Sequence, residues 1–509
     1  MIPIRAIVVL LAVSFLQSCL VFRDQGTSDV FEITNDLDSL VPEFLALLDF
    51  PVGVGIAIYT NNGSYAHGFG LADVESGEEA TAETAFYIAS STKSFNALAF
   101  NILHHRNEIN LDATLSEYAP DAQFPKEILP EKVTLRDLLT HTSGIYNNPI
   151  SFRSAFSGDH TPELLWDLLS VSTINSNAPI GTFQYTNTGY NILTILTDRQ
   201  LGIPWQDIIK KEIIDPLGMT HTTAYMSQAQ RENWPIARPH GQTDDFKMIR
   251  TYLEKVDSTM QSAGGMIMSP NDAVRWLELF VNDGMVGGVR LVDPQIVRET
   301  RNRFSKVDRQ FGEYLREDYG LGWYVSSYNN SPMIQHFGEF AGFRAHVSYM
   351  PDLNAGVAVF VNDSMIGNFL ADAIANYVYD GLTESTQPSI EGNEEFSSQL
   401  IASYEDIKAN VIRDRSRRAA RVWQLSHPIE AYSGRYLNSE LGELIVSVKN
   451  NGLHVEIGVM RSVAEPFTSP DSLRLSLNPI SGTVLEFDVN AEGEVVAANI
   501  YGAHFERDK

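Results

Sequence analysis

The sequence predicts a mixed α/β (α+β) fold with an antiparallel sheet flanked by helices, a helical lobe and a small C-terminal antiparallel β-barrel. Two observations lead to this class. Strand patterns stand at both ends of the segment 51–379 and helical patterns fill its middle, while short strands recur at regular spacing after residue 430. Strands separated by a long helical insertion form one sheet when distant pieces of the chain pair.

The first elements lie between residues 52 and 104. Residues 52–59 are rich in β-formers, and Asn62-Gly63 predicts a hairpin turn before a second strand that ends at Gly70. From Ser90 to His104 the apolar side chains recur at helical spacing. This part therefore predicts a hairpin followed by a helix that packs against it.

The middle of the segment is predominantly helical, and its end returns to strands. Helical patterns cover residues 162–170, 190–201 and 204–214, and Ser269 is a candidate N-cap for a helix at 273–281. Two strands and a final helix follow, at residues 347–349, 356–361 and 369–379. These strands are the distant partners that would complete the sheet begun at residue 52.

A linker and a β-rich tail follow. Residues 383–394 are polar and predict a linker. The next helix carries five arginines, which we interpret as a solvated face, with a partner site as the alternative: Arg413, Arg415, Arg417, Arg418 and Arg421. Short strands at 444–448, 453–457, 473–477, 484–489 and 495–501 predict a barrel or sandwich. The predicted units are 36–382 for the sheet and helices, 383–425 for linker and helix, and 426–509 for the barrel.

Composition and charge restrict the function. The 509 residues are 44% hydrophobic, 10% aromatic and 20% charged, which is typical of globular proteins and excludes disorder across the chain. The formal net charge is −27. A surface this acidic repels phosphate backbones and anionic lipid, so we expect no nucleic-acid partner and no electrostatic membrane docking.

The first 35 residues predict export. Arg5, an apolar run at 6–16 and the small residue Ser18 form a secretory signal peptide over residues 1–18. The single cysteine, Cys19, follows Leu16-x-Ser18 as in the lipobox of bacterial lipoproteins, and it rules out an intrachain disulfide or a cysteine-based zinc site. We therefore expect lipid attachment at Cys19, a polar tether over 19–35 and a place in a bacterial envelope, on the periplasmic or surface side of the outer membrane. An ordinary cleaved signal is the alternative.

One short motif carries candidate chemistry. The chain has no Gly-x-Ser-x-Gly, no His-Glu-x-x-His and no phosphate loop, but it has Ser90-Ser91-Thr92-Lys93 at the start of the predicted helix. Residues i and i+3 share a helix face, so the Lys93 amine can reach the Ser90 hydroxyl. Serine needs a base to become a nucleophile, and burial lowers the pKa of a lysine enough to provide one. The alternative is that Ser90 is an N-cap and Lys93 lies at the surface.

Two further motifs follow at predicted element boundaries, Tyr185-Thr186-Asn187 and His336-Phe337-Gly338. Taken in order with Ser90-x-x-Lys93, they resemble the serine β-lactamase-like family: class C β-lactamases, D-aminopeptidases, D-Ala-D-Ala carboxypeptidases and related esterases (peptidase S12-type). The resemblance runs from about residue 51 to 379. It implies a β-lactamase/transpeptidase-like fold, and the tail resembles the lipocalin-like domain of some of these peptidases. We expect neither cofactor nor metal.

The resemblance also implies roles for the residues of the first two motifs. Ser90 would be the acylated nucleophile and Lys93 its activator. Tyr185 would relay the proton, with a pKa lowered by Lys93. Asn187 would hold Lys93 and a substrate amide.

The third motif is related to substrate binding. The backbone amides of Ser90 and Glu339 would form the oxyanion hole, with Gly338 permitting close approach. His336 replaces the lysine of a Lys-Thr-Gly pattern, which weakens recognition of a carboxylate. Glu339 either enters the cleft, where it would favour a substrate amine, or faces solvent, and Arg344 either restores anion binding or faces water.

These features predict a serine hydrolase acting through an acyl-enzyme on Ser90. Its expected substrates are small esters, amides or peptides, including those with D-amino acids. The alternatives are a β-lactamase or D-Ala-D-Ala carboxypeptidase, and a non-catalytic penicillin-binding-like sensor. The barrel would cover or shape the cleft, or would act as a separate ligand-binding module.

Overall fold

The computed structural model describes residues 30–383, 390–479 and 481–508, and its centre is an eight-stranded antiparallel sheet. In chain order the strands are β1 (Val54–Thr60), β2 (Gly63–Phe69), β3 (Ser305–Phe311), β4 (Tyr314–Tyr319), β5 (Tyr324–Tyr328), β6 (Ser331–Phe340), β7 (Phe343–Met350) and β8 (Ala355–Val361). Their spatial order is β3-β4-β5-β6-β7-β8-β1-β2. Val54 of β1 pairs with Val361 of β8, so distant pieces close the sheet as predicted.

Six longer helices accompany the sheet: α1 (Val30–Leu47), α2 (Thr92–His105), α3 (Thr188–Leu196), α4 (Pro270–Val281), α5 (Gly367–Thr383) and α6 (Ile390–Ala419). Alternation along β1 gives each face of the sheet its own core. Ile56 and Ile58 join the cluster with α1 and α5, whereas Ala57 joins the cluster with α2 and α4. The side chain of Ser269 caps α4 by accepting a hydrogen bond from the Asp272 amide at 3.2 Å, as its sequence predicts.

The segment between β2 and β3 contains most of the shorter helices and strands. The short helices are Leu115–Tyr118, Leu135–Leu139, Asn148–Phe152, Pro162–Asp167, Trp205–Ile209, Asp215–Leu217, Met226–Arg231 and Pro294–Glu299. The 3₁₀ and π turns are Ala89–Ser91, Arg153–Ser157, Leu168–Val171, Thr197–Leu201, Lys210–Ile214 and Gln261–Ala263, with Pro351–Leu353 and Ile429–Tyr432 farther along the chain. The short strands are Leu71–Asp73, Glu78–Glu79, Phe86–Tyr87, Ile145–Tyr146, Thr173–Ile174, Thr222–Thr223, His240–Gln242, Met248–Arg250, Ile267–Met268, Met285–Val286 and Val289–Arg290.

The C-terminal unit is a nearly closed antiparallel barrel of nine strands, which confirms the predicted β tail. The strands are β9 (Gly434–Asn438), β10 (Gly442–Lys449), β11 (Gly452–Ile457), β12 (Met460–Val463), β13 (Glu465–Pro466), β14 (Ser472–Asn478), β15 (Ser481–Val489), β16 (Val495–Ile500) and β17 (Ala503–Arg507). Their spatial order is β12-β11-β10-β9-β17-β16-β15-β14-β13. Alternate residues of β14 (Leu473, Leu475 and Leu477) are buried in the barrel core.

The barrel is docked on the rest of the protein by direct hydrogen bonds. The Val459 amide donates to the Ser157 carbonyl at 2.8 Å, and the Arg153 guanidinium donates to the Glu440 carbonyl at 2.5 Å. The Tyr252 hydroxyl donates to the carbonyl of Leu477, at the end of β14. These contacts place the hairpin between β14 and β15 at the sheet domain.

The structure differs from the sequence expectations at two boundaries. Helix α1 begins at Val30, inside the predicted tether, because Ile33, Leu37 and Leu40 recur at helical spacing and pack on the sheet. Helix α6 begins at Ile390, inside the predicted linker.

A third difference is a set of neighbouring strands. The sequence predicts no strand at residues 305–340, which form β3, β4, β5 and β6. In β3 and β4 the reason is that charged side chains stand in place of an apolar alternation.

The predicted signal peptide and Cys19 lie outside the described residues. Within the described part of the chain, the helices lack the combination of length and hydropathy that crossing a bilayer requires.

Candidate active site

Ser90 lies in a single strained turn at the N-terminal end of α2. The 3₁₀ turn Ala89–Ser91 precedes the α-helix, which begins at Thr92 and not at Ser90 as expected. Ala89 has φ +41°, a left-handed conformation that costs an L-residue about 1–2 kcal/mol. The Ser91 hydroxyl donates to the His336 carbonyl at 3.4 Å and ties the turn to β6. Neighbouring structure therefore holds Ser90 in a fixed position facing the pocket.

Lys93 is fully buried beside Ser90. Its Nζ lies 3.1 Å from Ser90 Oγ, 2.9 Å from Asn187 Oδ1 and 2.7 Å from the Ala263 carbonyl oxygen. Burial lowers the pKa of Lys93 well below its usual value. A neutral amine has two N–H donors and one lone pair, which fits donation to Asn187 and Ala263 and acceptance from the Ser90 hydroxyl. The three contacts thus suit an unprotonated lysine.

Tyr185 borders the same group from the pocket side. Lys93 Nζ lies 4.9 Å from the centroid of its ring, and Tyr185 and Ser90 line the same pocket. Although 37% of the residue is exposed, enclosure of the phenol raises its pKa, and the neighbouring Ser90 hydroxyl opposes that shift only in part. The direction is opposite to the lowering expected from Lys93. Tyr185 is therefore a neutral phenol, able to donate a proton.

Asn187 occupies the N-cap position of α3, yet its side chain makes no capping bond. Its amide oxygen instead accepts from Lys93. The same tripeptide also occurs at Tyr59-Thr60-Asn61, at the end of β1, where the Tyr59 hydroxyl accepts a bond from Asn282 at 2.7 Å. Tertiary packing therefore distinguishes two identical motifs, and the copy at 185–187 is the one beside Ser90.

The carbonyl of Ala263 is the contact that sequence reasoning missed. It ends the turn Gln261–Ala263, where Met260 and Gln261 have φ values of +60° and +48°. Two consecutive left-handed residues with side chains are costly, and such strain clusters at functional sites. The sequence contained a partial signal, because Gly264-Gly265 directly follows this turn.

Strand β6 passes close to the Ser90 turn because residue 338 is glycine. A Cβ at Gly338 would lie 2.0 Å from the carbonyl oxygen of Ile88. This approach places the residue 339 backbone beside the nucleophile turn. The Glu339 carboxylate accepts a hydrogen bond from the Arg344 guanidinium at 2.8 Å. The Glu339 side chain is therefore neither a free charge in the cleft nor an unpaired group in solvent.

His336 is buried, and both of its ring nitrogens are engaged. Nδ1 lies 2.8 Å from the Phe337 carbonyl, and Nε2 lies 3.0 Å from the Tyr319 hydroxyl. Because a carbonyl only accepts, Nδ1 carries the hydrogen and Nε2 accepts from Tyr319. Burial is the main cause that lowers the pKa of His336 well below its usual value, and the charge of Arg316 adds to this effect. His336 is thus neutral and does not replace a cationic lysine.

These groups open into a cavity of about 680 Å³ between the sheet, the helical lobe and the barrel. Aromatic side chains form much of its wall, and the barrel adds the hairpin after β14. The lining includes Ser90, Phe156, Tyr185, Asn187, Phe311, Arg316, Tyr324, His336, Phe340, Asn478, Pro479 and Ser481. The cavity can hold a small organic substrate against Ser90.

A second serine has the hydrogen-bonding pattern of a catalytic triad but no access to substrate. His346 lies 2.9 Å from Asp372 and 2.7 Å from the hydroxyl of Ser348. Both His346 and Ser348 are fully buried, and Ser348 also bonds Tyr379 at 2.9 Å. A nucleophile must reach its substrate, so this group is structural and Ser90 is the candidate.

Comparison with protein families gives one match that covers most of the sheet domain. A family model described as Beta-lactamase matches residues 39–376. The match spans Ser90, Lys93, Tyr185, Asn187 and His336.

Individual relatives are distant. The unguisins hydrolase ungD of Aspergillus violaceofuscus is 23% identical over 84% of this chain and 79% of its own length. The octameric penicillin-binding protein homologue from Pyrococcus abyssi has a TM-score of 0.54 and 21% identity over 93% of this chain and 99% of its own. The D-amino acid amidase from Ochrobactrum anthropi SV3 has a TM-score of 0.55 and 21% identity over 69% of this chain and 98% of its own. At such identities the two structures show the shared fold.

Proposed function

We propose that this protein hydrolyses small esters or amides through an acyl-enzyme on Ser90. The chain belongs to the Beta-lactamase family of hydrolases. One observation carries the proposal: the buried Lys93 amine lies 3.1 Å from Ser90 Oγ and has two other acceptors for its hydrogens. A neutral amine in this geometry takes the serine proton as general base.

The acylation step follows from these contacts. Ser90 Oγ attacks the substrate carbonyl carbon while its proton passes to Lys93, and the carbonyl electron pair becomes an oxyanion. The backbone amides of Ser90 and Glu339 would stabilise that oxyanion. When the intermediate collapses, the bond to the leaving group breaks, and the Tyr185 hydroxyl protonates the departing atom. Lys93 then returns its proton to Tyr185.

Deacylation repeats the sequence with water. Water attacks the acyl carbon while its proton passes to the neutral Lys93. The bond between the acyl carbon and Ser90 Oγ then breaks, and Lys93 gives its proton to the departing Ser90 oxygen. Acid and free enzyme result. The raised pKa of Tyr185 keeps its hydroxyl protonated in the resting enzyme, so the residue holds a proton for the leaving group and is not the lowered-pKa base that the sequence suggested.

The state of His336 disfavours substrates that carry a carboxylate next to the bond that is cut, and so favours simple esters and amides over β-lactams. A neutral imidazole with both nitrogens engaged offers no positive charge to a carboxylate beside β6. Peptides with D-amino acids belong to the same proposal, because the fold is shared with a D-amino acid amidase. The competing hypotheses are a D-Ala-D-Ala carboxypeptidase, a β-lactamase and a sensor that becomes acylated without turnover.

A panel of substrates distinguishes these hypotheses. Purified wild type and Ser90→Ala would be tested on 4-nitrophenyl acyl esters, D- and L-amino-acid amides, an acyl-D-Ala-D-Ala peptide and a chromogenic cephalosporin. We expect turnover of esters or amides by wild type only, and a fluorophosphonate adduct on the Ser90 peptide by mass spectrometry. An unlabelled Ser90 peptide with intact turnover would reject the proposal, and labelling without turnover would favour a sensor.

Ser348→Ala is the matched control for the second serine. We expect activity per folded molecule to be retained, because Ser348 has no access to substrate. Its stability should fall by about 1–3 kcal/mol, because buried partners of its hydroxyl lose a hydrogen bond.

Export and lipid attachment form a separate proposal that rests on residues 1–19. Metabolic labelling with palmitate is expected to mark the wild-type protein and not Cys19→Ala. An unlabelled wild type with a cleaved signal would leave the ordinary secreted alternative.

A further inference from the structure

Two arginines lie opposite each other on the edge hairpin of the sheet and line the Ser90 cavity. Arg309 of β3 and Arg316 of β4 are direct register partners, so their side chains share one face. Like charges in directly opposite positions destabilise a hairpin. Neither arginine forms an ion pair with any residue that the structure describes. An arrangement that weakens the hairpin and gives neither arginine an acidic partner points to a ligand charge.

The guanidinium of Arg316 packs against three aromatic rings. Its guanidinium carbon lies 3.7 Å from the ring centroid of Phe311, 4.2 Å from that of Tyr324 and 4.8 Å from that of Phe337. Its Nε is buried without a hydrogen-bond partner. A guanidinium has five donors and no acceptor, so a desolvated one with open donors is ready for a planar anion.

The neighbouring groups do not neutralise this charge. Tyr324 stays a neutral phenol, because burial raises its pKa to about 12 even with both arginines nearby. Arg344 and Glu339 neutralise each other. Asp372 attracts Arg316 only through space, because its carboxylate is paired with His346 and forms no ion pair with Arg316.

The cavity is therefore locally positive in a chain of net charge −27. In so acidic a protein, a cleft of the opposite sign concentrates anions near Ser90.

We propose that Arg316, assisted by Arg309, is a subsite for a carboxylate of the substrate. The inference rests on the proposed function and deepens it: the preferred ester or amide carries a negative group several atoms from the bond that is cut. Arginine binds carboxylates through two parallel hydrogen bonds, which fix orientation as well as charge. In this proposal the substrate anion is bound by the edge hairpin of β3 and β4, and not at position 336, where the histidine is neutral.

Matched pairs of esters test the subsite. The first pair, 4-nitrophenyl hydrogen glutarate and 4-nitrophenyl valerate, places the charge on the acyl side. The second, the acetate esters of 3-hydroxybenzoic acid and of 3-hydroxybenzamide, places it on the leaving group. Within each pair, the ratio of kcat/KM for the charged and neutral member is compared between enzyme variants, so intrinsic reactivity cancels.

We expect Arg316→Gln to lower this ratio at least about tenfold in one pair, while kcat/KM for the neutral member changes little. Arg316→Lys should retain part of the preference, because it keeps the charge and loses the planar fork. Arg417→Gln, on the exposed face of α6, removes the same charge elsewhere and should leave both ratios unchanged. Added salt should reduce the wild-type preference.

Two results would overturn the inference. If all esters are hydrolysed and neither ratio moves in Arg316→Gln, the arginine serves only to pack the rings. If no ester is hydrolysed and Ser90 is not labelled, the proposed function fails first, and glutarate binding measured by calorimetry decides the subsite. Equal glutarate affinity of wild type and Arg316→Gln, or no binding to either, then rejects it.

Discussion

At the scale of single residues, the protonation state of Lys93 decides what the site can do. An ammonium group there would be buried with neutral acceptors, and no acidic side chain in the described ranges forms an ion pair with it. Desolvation of an unpaired charge is expensive, so the amine gives up its proton instead. The burial that makes Lys93 costly to ionise also makes it a base for Ser90.

Replacing Lys93 with methionine separates activity from stability. Lys93→Met should lower kcat/KM by about 10²–10⁴-fold, because the general base is lost. Its free energy of unfolding at neutral pH should change little, because replacing a buried amine with an apolar chain offsets the hydrogen bonds that Asn187 and the Ala263 carbonyl lose. Ester kinetics and urea denaturation measure both effects, and a large loss of stability would contradict the assignment of Lys93 as a neutral, poorly solvated group.

The same lysine predicts a pH dependence with a defined sign. In wild type, kcat/KM should rise with pH through the pKa of Lys93, which lies well below the usual 10.5. The unfolded chain binds the proton more tightly than the native protein, so stability should rise with pH between the native pKa and the unfolded value of about 10.4. This rise should be absent in Lys93→Met, and a rise of equal size in both proteins would argue against the shift.

At the scale of elements, the distance between β6 and the Ser90 turn depends on one missing side chain. Gly338 lets the strand lie against the Ile88 carbonyl, and the Ser91 hydroxyl reaches across to the His336 carbonyl at 3.4 Å. A hairpin of β6 and β7 holds this position, with Gly338 opposite Ala345. The strand thereby places the backbone of residue 339 beside the Ser90 turn, as the proposed oxyanion donor requires.

Adding one methyl group should disturb this contact. In Gly338→Ala the new Cβ would meet the Ile88 oxygen, so we expect about 1–3 kcal/mol of destabilisation and a loss of about 10²-fold in kcat as the oxyanion donor shifts. Thermal denaturation and ester kinetics test it. Gly452→Ala, at a position with 3.6 Å to the nearest atom, is the control and should behave as wild type. Wild-type kinetics for Gly338→Ala would show that close approach is not required.

At the scale of the whole molecule, the barrel and the sheet domain share one aromatic contact. Phe152 belongs in sequence to the helical lobe, yet it packs in the barrel core, 5.2 Å from the ring of Tyr501. Its neighbour Phe156 stacks 6.1 Å from Phe340 at the end of β6. The contact connects the barrel to the strand beside Ser90, and the hairpin after β14 closes the same cavity.

Truncating the Phe152 side chain should weaken the contact between the barrel and the sheet domain. Phe152→Ala is expected to destabilise the protein by about 3–5 kcal/mol and to split one calorimetric transition into two. Phe369→Ala removes an identical ring that is 50% exposed and should have little effect. A single unshifted transition for Phe152→Ala would mean that the units are held together by other contacts.

The sequence by itself determined the local elements and most of the site. Apolar periodicity and turn residues located the first hairpin, α2, α4 and five of the nine described barrel strands, because these signals depend on neighbours within one or two turns. The spacing in Ser90-x-x-Lys93 likewise placed an amine beside a hydroxyl. The early start of α1 was readable from Ile33, Leu37 and Leu40, but the polar residues around them concealed it.

Only the tertiary structure decided the electrostatic character of the site. The direction of the Tyr185 pKa, the neutral state of His336, the pairing of Glu339 with Arg344 and the place of Arg316 all depend on residues far apart in the chain. Desolvation and charge coupling act through space over a few ångströms, so they become defined only when the sheet has closed and the barrel has docked. A linear pattern cannot contain that information, because it does not specify which distant groups share one cavity.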